Sequence, residues 1–273
     1  MNTDRQLAAE CVACAHQPAF LPWLPFFAKA AVCDVLIVMD QVQFTPRNWI
    51  NRVRVGGGLP PSWLTVPVRR PIRRETPIRE IGIDYSVPWV RKHQNTLQCR
   101  YGRCPEYKWI ASEILACLQK SPRFLCDLNV ALLAAICGML EIKARVVIGS
   151  DLEAKGSKSE LIARMCSEIG ASSYVAGQGA TVYEDISAYT CRSIAYRRST
   201  FAHLEYRQHS STSFQSGLSI VDALFNIGAA GTRALLCRGQ AIENAVQQTN
   251  APRPGSVHRG GYETQPRVFC ANT

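Results

Sequence analysis

Long apolar runs are missing from this chain. A membrane helix needs roughly eighteen residues, and the most apolar strand-like stretch, "CDVLIVM" at 33–39, is far shorter. Membrane insertion is therefore not expected. The first residues, "MNTDRQLAAECVACAHQ", show no basic head followed by an apolar stretch, so no secretory leader is expected and the location expected is cytoplasmic. Metal-site spacings are missing too. His16, His93, His203, His209 and His258 are scattered, and the Cys11/Cys14 pair has no second half. The sequence thus predicts no bound metal, and it specifies no cofactor. There is no nucleophile elbow, no Walker loop and no dinucleotide fingerprint, since "GQGAT" lacks a third glycine.

What is present is a globular composition, 47% hydrophobic and 19% charged over 273 residues. That is enough chain to bury a large core. The twelve cysteines lie mostly inside apolar segments, where a reduced thiol acts as a small hydrophobe.

Strand-like and helix-like runs alternate. "CVACA" (11–15) and "CDVLIVM" (33–39) are short continuous apolar runs, as expected of strands covered on both faces. "PFFAKAA" between them reads as a short helix with Pro25 in its first turn. "SWLTVPV" (62–68) reads as a third strand, and 86–142 as a helical insert with Asp127 a candidate cap and Trp89 and Trp109 in its core. Alternation resumes with a strand at 144–151, a helix from Ser157 to Gly170 and a strand at 172–180. A last strand is expected at 202–207, and a helix at 218–228 that Gly228 ends. The chain from 248 to 273 lacks periodicity and reads as a disordered tail. This pattern predicts one α/β domain over 1–247, a mostly parallel sheet flanked by helices with the insert between its third and fourth strands.

Ligands of such sheets bind beyond the carboxyl ends of the strands. His16-Gln17, Asp40-Gln43, Ser150-Asp151 and Gly177-Gln178 would share that rim. His16 titrates near neutrality and Asp40 could act as a base, so these two are the expected catalytic pair. Gln17 and Gln43 can each donate and accept. Arg47 and Arg52 could clamp a phosphate or carboxylate, with Asn51 and an aromatic, Trp49, close by. Trp49 itself is expected to be core. Lys155 and Lys158, just before a helix start, could form an anion site, and Gly177 and Gln178 allow close backbone approach. Asp222, in an apolar helix, could anchor a buried hydrogen bond.

The net charge of +10 is concentrated. Eight arginines and one acid, Glu75, lie between Arg47 and Arg79. Such a stretch attracts anions, although the nearby aromatics are too few for a nucleic-acid stacking platform, so a phosphorylated or nucleotide-linked small molecule is the expected partner.

Taken in order, "HQPAFLPWLPFF", "DQVQFTPRNWINRVRV", "WLTVPV", "SDLEAKGSKSELI", "YVAGQGATVY" and "GLSIVDALFNIG" resemble the motif series of the WbqC-like family. Pro25 departs from the glycine-aromatic pair common at that point. The resemblance implies a transferase-type enzyme acting on an activated sugar or amino compound in bacterial surface-polysaccharide (O-antigen) or small-molecule biosynthesis, or a non-catalytic partner in such a pathway. It also implies roles for His16, Gln17, Asp40, Gln43, Asn51, Arg52 and Gly177. A looser similarity links the chain to nucleotidyl-transferring, adenylate-forming α/β enzymes such as pantothenate synthetase, but their second histidine is replaced here by Ala19.

Overall fold

The computed structural model describes residues 10–58, 60–180, 184–209, 211 and 213–244. The expected tail lies outside these residues. In chain order the elements are β1 (Val12–His16), α1 (Leu24–Ala31), β2 (Val35–Val38), β3 (Arg52–Val55), β4 (Ser62–Thr65), α2 (Trp89–Tyr101), α3 (Tyr107–Gln119) and α4 (Leu125–Met139). They continue with β5 (Arg145–Ile148), α5 (Lys158–Glu168), β6 (Ser173–Ala176), α6 (Ser187–Thr190), β7 (Ala195–Phe201), α7 (Ile220–Gly239) and β8 (Gln240–Asn244).

Six strands form one sheet in the order β5-β2-β1-β6-β7-β8, parallel except for β8. The continuous apolar runs explain its centre. β2 is buried at every residue and β1 at its three middle ones, because helices cover both faces. The expected α/β class is therefore observed.

Three local expectations are corrected. "SWLTVPV" does not join the main sheet. Its first half is β4, antiparallel to β3 in a separate hairpin whose alternating Val53, Val55 and Leu64 face inward. The last parallel strand is β7 at 195–201, upstream of the expected 202–207. Gly228 does not end its helix. It takes φ 69° and ψ 177°, a conformation that suits glycine, and helix resumes beyond it to Gly239. That helix is long and apolar enough to cross a membrane by length and composition, but this break interrupts it and just over half of it is buried inside the fold. Asp127 sits in the first turn of α4 and does not cap it; Phe124 occupies the cap position.

α2, α3 and α4 do lie between the hairpin and β5. Trp89 is core, whereas Trp109 is half-exposed and donates to Glu106 Oε2 at 2.7 Å.

These parts meet at Asp222, which is wholly buried. Its Oδ1 accepts from Tyr101 Oη at 2.6 Å, and its Oδ2 accepts from Tyr206 Oη at 2.7 Å and Gln208 Nε2 at 3.0 Å. The backbone N–H of Gly56 donates to the same Tyr101 hydroxyl at 2.7 Å. One carboxylate thereby joins α2, the hairpin, α7 and the segment after β7. Burial raises its pKa, and the tyrosine and glutamine hydrogen bonds act in the opposite sense. Asp222→Ala orphans three buried donors, so it should cost about 3 kcal/mol, against about 1 kcal/mol for Tyr206→Phe. Urea denaturation of the two variants measures the difference.

Candidate functional site

In the sheet order, the chain leaves β1 towards β2 on one side and β6 towards β7 on the other. The boundary between β1 and β6 is a topological switch point, where loops part and leave a crevice beyond the strand ends. A cavity of about 360 Å³ opens there. This lies within the range of roughly 300–1,000 Å³ usual for small-molecule sites. Two larger hollows over α2, which share Pro88, Arg91 and Asn95, and a third beside Glu153 and Arg164 are more open surface depressions away from the strand ends of β1 and β6.

The cavity wall is built by four segments. β1 contributes His16 at its last position, and the loop and helix after it contribute Phe20, Trp23, Pro25, Phe26 and Lys29. The hairpin adds Trp49 and Val53, the β6 end adds Gly177 and Gln178, and β7 adds Ser199 and Phe201. The lining is mostly apolar and aromatic, with few polar groups.

His16 is half-buried. Its Nδ1 donates to the carbonyl of Gln17 at 2.8 Å, and its ring meets Phe26 edge-on at 4.7 Å between centroids. A carbonyl can only accept, so in the neutral ring Nε2 carries the lone pair. Burial and the nearby Lys29 charge lower its pKa to about 4, with the Gln17 bond acting in the opposite sense. The imidazole is therefore neutral at pH 7.

Lys29 is 4% exposed. Its ammonium donates to the Ala15 carbonyl at 3.0 Å, and it forms no ion pair among the described residues. A methyl group added at Gly177 would meet only Lys29 Nζ, at 3.7 Å. The bare Gly177 backbone thus leaves the ammonium unshielded. Glu184 lies within the field of Lys29, and its carboxyl accepts from Tyr196 Oη. Burial pushes its pKa to about 7, against the pull of Lys29 and Arg198.

The structure brings His16, Gly177 and Gln178 together and leaves the other expected residues outside the lining. Asp40 is 3% exposed. Its two oxygens accept from the Ser150 N–H at 2.8 Å and the Ser150 hydroxyl at 2.6 Å, fastening the ends of β2 and β5. Of the expected His16–Asp40 pair, His16 lines the cavity and Asp40 does not. Gln17 offers His16 its carbonyl, while the Gln43 amide donates to the Arg74 carbonyl at 2.5 Å. Asn51 is buried and donates to the Val66 carbonyl at 3.0 Å. Arg52 stacks its guanidinium over Trp63 at 4.2 Å. Arg47, Lys155 and Lys158 are exposed, and the α5 start has no side-chain cap from Ser157. Trp49 is not core: it is 49% exposed, packs against Trp63 and lines the cavity.

Lys29, Trp23 and Ser199 escaped the sequence reading. Lys29 had a signal: a lone lysine in the otherwise apolar "LPFFAKAA", with no acid one turn away in that helix.

Fold and site together define an α/β protein with a cavity at the switch point of a mostly parallel sheet. The chain belongs to the WbqC-like protein family, whose pattern matches residues 17–234. It is also similar to a protein of Mycobacterium tuberculosis (strain ATCC 25618 / H37Rv) named "Uncharacterized protein Rv1507c". The two are 33% identical over 216 residues, covering 78% of this chain and 92% of that protein.

Two predictions follow from this geometry. Asp40→Ala removes the acceptor of two Ser150 hydrogen bonds and should destabilise the fold by about 1–2 kcal/mol in urea denaturation. The second concerns pH. A histidine with a folded pKa near 4 and an ordinary value of 6.5 binds its proton in the unfolded chain first, so its contribution falls as pH drops between those values. His16→Gln lacks this loss, whereas Glu184 titrates alike in both proteins. Relative to wild type, the variant should gain about 2 kcal/mol between pH ~7.5 and pH ~4.5, read from urea midpoints at the two pH values.

Proposed function

We propose that this chain is a group-transfer enzyme acting on an activated sugar or amino compound in bacterial surface-polysaccharide or small-molecule assembly, with the switch-point cavity as its reaction centre. The observation that carries this reading is the contact of His16 Nδ1 with the Gln17 carbonyl. An imidazole tied through Nδ1 to its own chain presents Nε2 as a proton acceptor beside a pocket lined mostly by apolar side chains.

In the proposed step a hydroxyl or amine of the acceptor attacks the activated group. The new bond forms as the bond to the leaving group breaks. The acceptor's proton passes to His16 Nε2, and the electron pair of the broken bond departs with the leaving group. A phosphorylated or nucleotide-linked donor would keep its phosphates outside the apolar pocket. Arg47, an exposed cation two residues from Trp49, would be a candidate partner for them.

The test has two stages. A thermal-shift screen of nucleotides, sugar nucleotides and amino acids identifies a donor and an acceptor, since a ligand at about a hundred times its Kd stabilises by about 2.7 kcal/mol. With that pair, His16→Gln should reduce turnover at least about 100-fold while leaving ligand-induced stabilisation in place. Full activity in that variant would remove the base assignment.

A further inference from the structure

Lys29 does something that packing does not require. A lysine almost never becomes this buried without a counter-charge, because an ammonium in apolar surroundings loses its hydration. Here an ammonium with three donors spends one on the Ala15 carbonyl and has no carboxylate within ion-pair distance among the described residues. The acid within its field, Glu184, is held by the Tyr196 hydroxyl. Both Lys29 and the side-chain-free Gly177 line the cavity, so the missing counter-charge can be supplied from within it.

We propose that Lys29 is the anchor for the carboxylate of a small acid whose apolar or ring-shaped body lies among Trp23, Phe26 and Trp49. This deepens the reading of the cavity as a reaction centre and rests on it: the anchored acid is the acceptor, and its hydroxyl or amine faces His16.

The charge balance selects a carboxylate over a phosphate. Lys29 is the only cationic side chain in the lining among the described residues, and His16 is neutral. One ammonium suits a single negative charge. A phosphate dianion in an apolar cavity calls for a cluster of cations or several backbone N–H groups. The eight arginines between Arg47 and Arg79 could supply that, but none of them lines this pocket. The aromatic wall sets the rest of the molecule, since ring faces and edges favour apolar or ring-shaped bodies.

The full chain is titrated with 3-phenylpropionate and with its neutral amide, following tryptophan fluorescence, because Trp23 and Trp49 line the pocket. The acid should bind at least about ten-fold more tightly than the amide at about pH 7.5. Lys29→Met should bring the two within about two-fold of each other. Gly177→Ala places a methyl against Nζ alone, so it should weaken the acid at least about five-fold without lowering the melting temperature. Equal binding of acid and amide by the wild type overturns the proposal, as does no binding of either up to about 10 mM. Displacement of the acid by equimolar inorganic phosphate overturns it in favour of a phosphate site. Should Lys29→Met fail to fold, Gly177→Ala decides alone, and unchanged acid affinity there also overturns it. His16→Gln serves as the separating control. It should keep the preference for the acid even where turnover is lost, so failure of the anchor and failure of the base give different patterns.

Discussion

The cavity owes its shape to the start of α7, and the start of α7 is held by one buried carboxylate. Asp222 gathers the hydroxyls of Tyr101 and Tyr206 and the Gln208 amide, and Tyr101 in turn accepts from Gly56. Three residues earlier, Ser219 touches the cavity wall itself. Its hydroxyl donates to the Leu21 carbonyl at 2.7 Å, its N–H donates to the Arg54 carbonyl at 2.9 Å, and the next N–H donates to the Pro22 carbonyl at 2.9 Å. Leu21 has φ 45°, an unfavourable value for a branched side chain just before proline. The Ser219 bond and the complete burial of Leu21 hold it there. A polar knot outside the pocket thus fixes the turn that carries Phe20, Pro22 and Trp23 into it. Because every donor at Asp222 is matched, the cost of burying the charge is spread over several strong hydrogen bonds.

Much of this architecture was legible in the sequence, and the failures have physical causes. β1, β2 and β6 read correctly because a strand covered on both faces must be apolar throughout. β7 was misplaced because "AYRRSTF" keeps only part of its length buried and carries two adjacent arginines. β8 gave no signal at all, being an edge strand that is almost wholly exposed. The hairpin strand β4 looked like a sheet strand because local alternation does not reveal which strand it pairs with. Gly228 looked like a stop because a left-handed glycine commonly ends a helix, but here helix resumes after the kink.

The site was legible by place more than by membership. Four strand ends do share one rim, yet only those at the switch point between β1 and β6 border the cavity. Sequence could not reveal the strand order, so it could not tell the β1 and β6 ends from the β2 and β5 ends. Asp40 is a carboxylate at the end of an apolar strand, the pattern of a catalytic acid. The same pattern suits a clamp between parallel neighbours, and Ser150 on the adjacent strand end completes one. Arg52 and Asn51 similarly contact the hairpin, the guanidinium over Trp63 and the Asn51 amide N–H on the Val66 carbonyl.

Lys29 bears on both His16 and Glu184. The ammonium adds to the burial that holds His16 in its neutral form, and it opposes the burial that favours protonated Glu184. The His16 imidazole is therefore a weak base, with a pKa near 4. A carboxylate paired with Lys29 would cancel that ammonium's field at both neighbours. At His16 this would remove the smaller of the two causes that lower its pKa, burial remaining the larger. Glu184 would shift further towards its neutral acid. The proposed carboxylate and the proposed base would thus be coupled through a single lysine on α1.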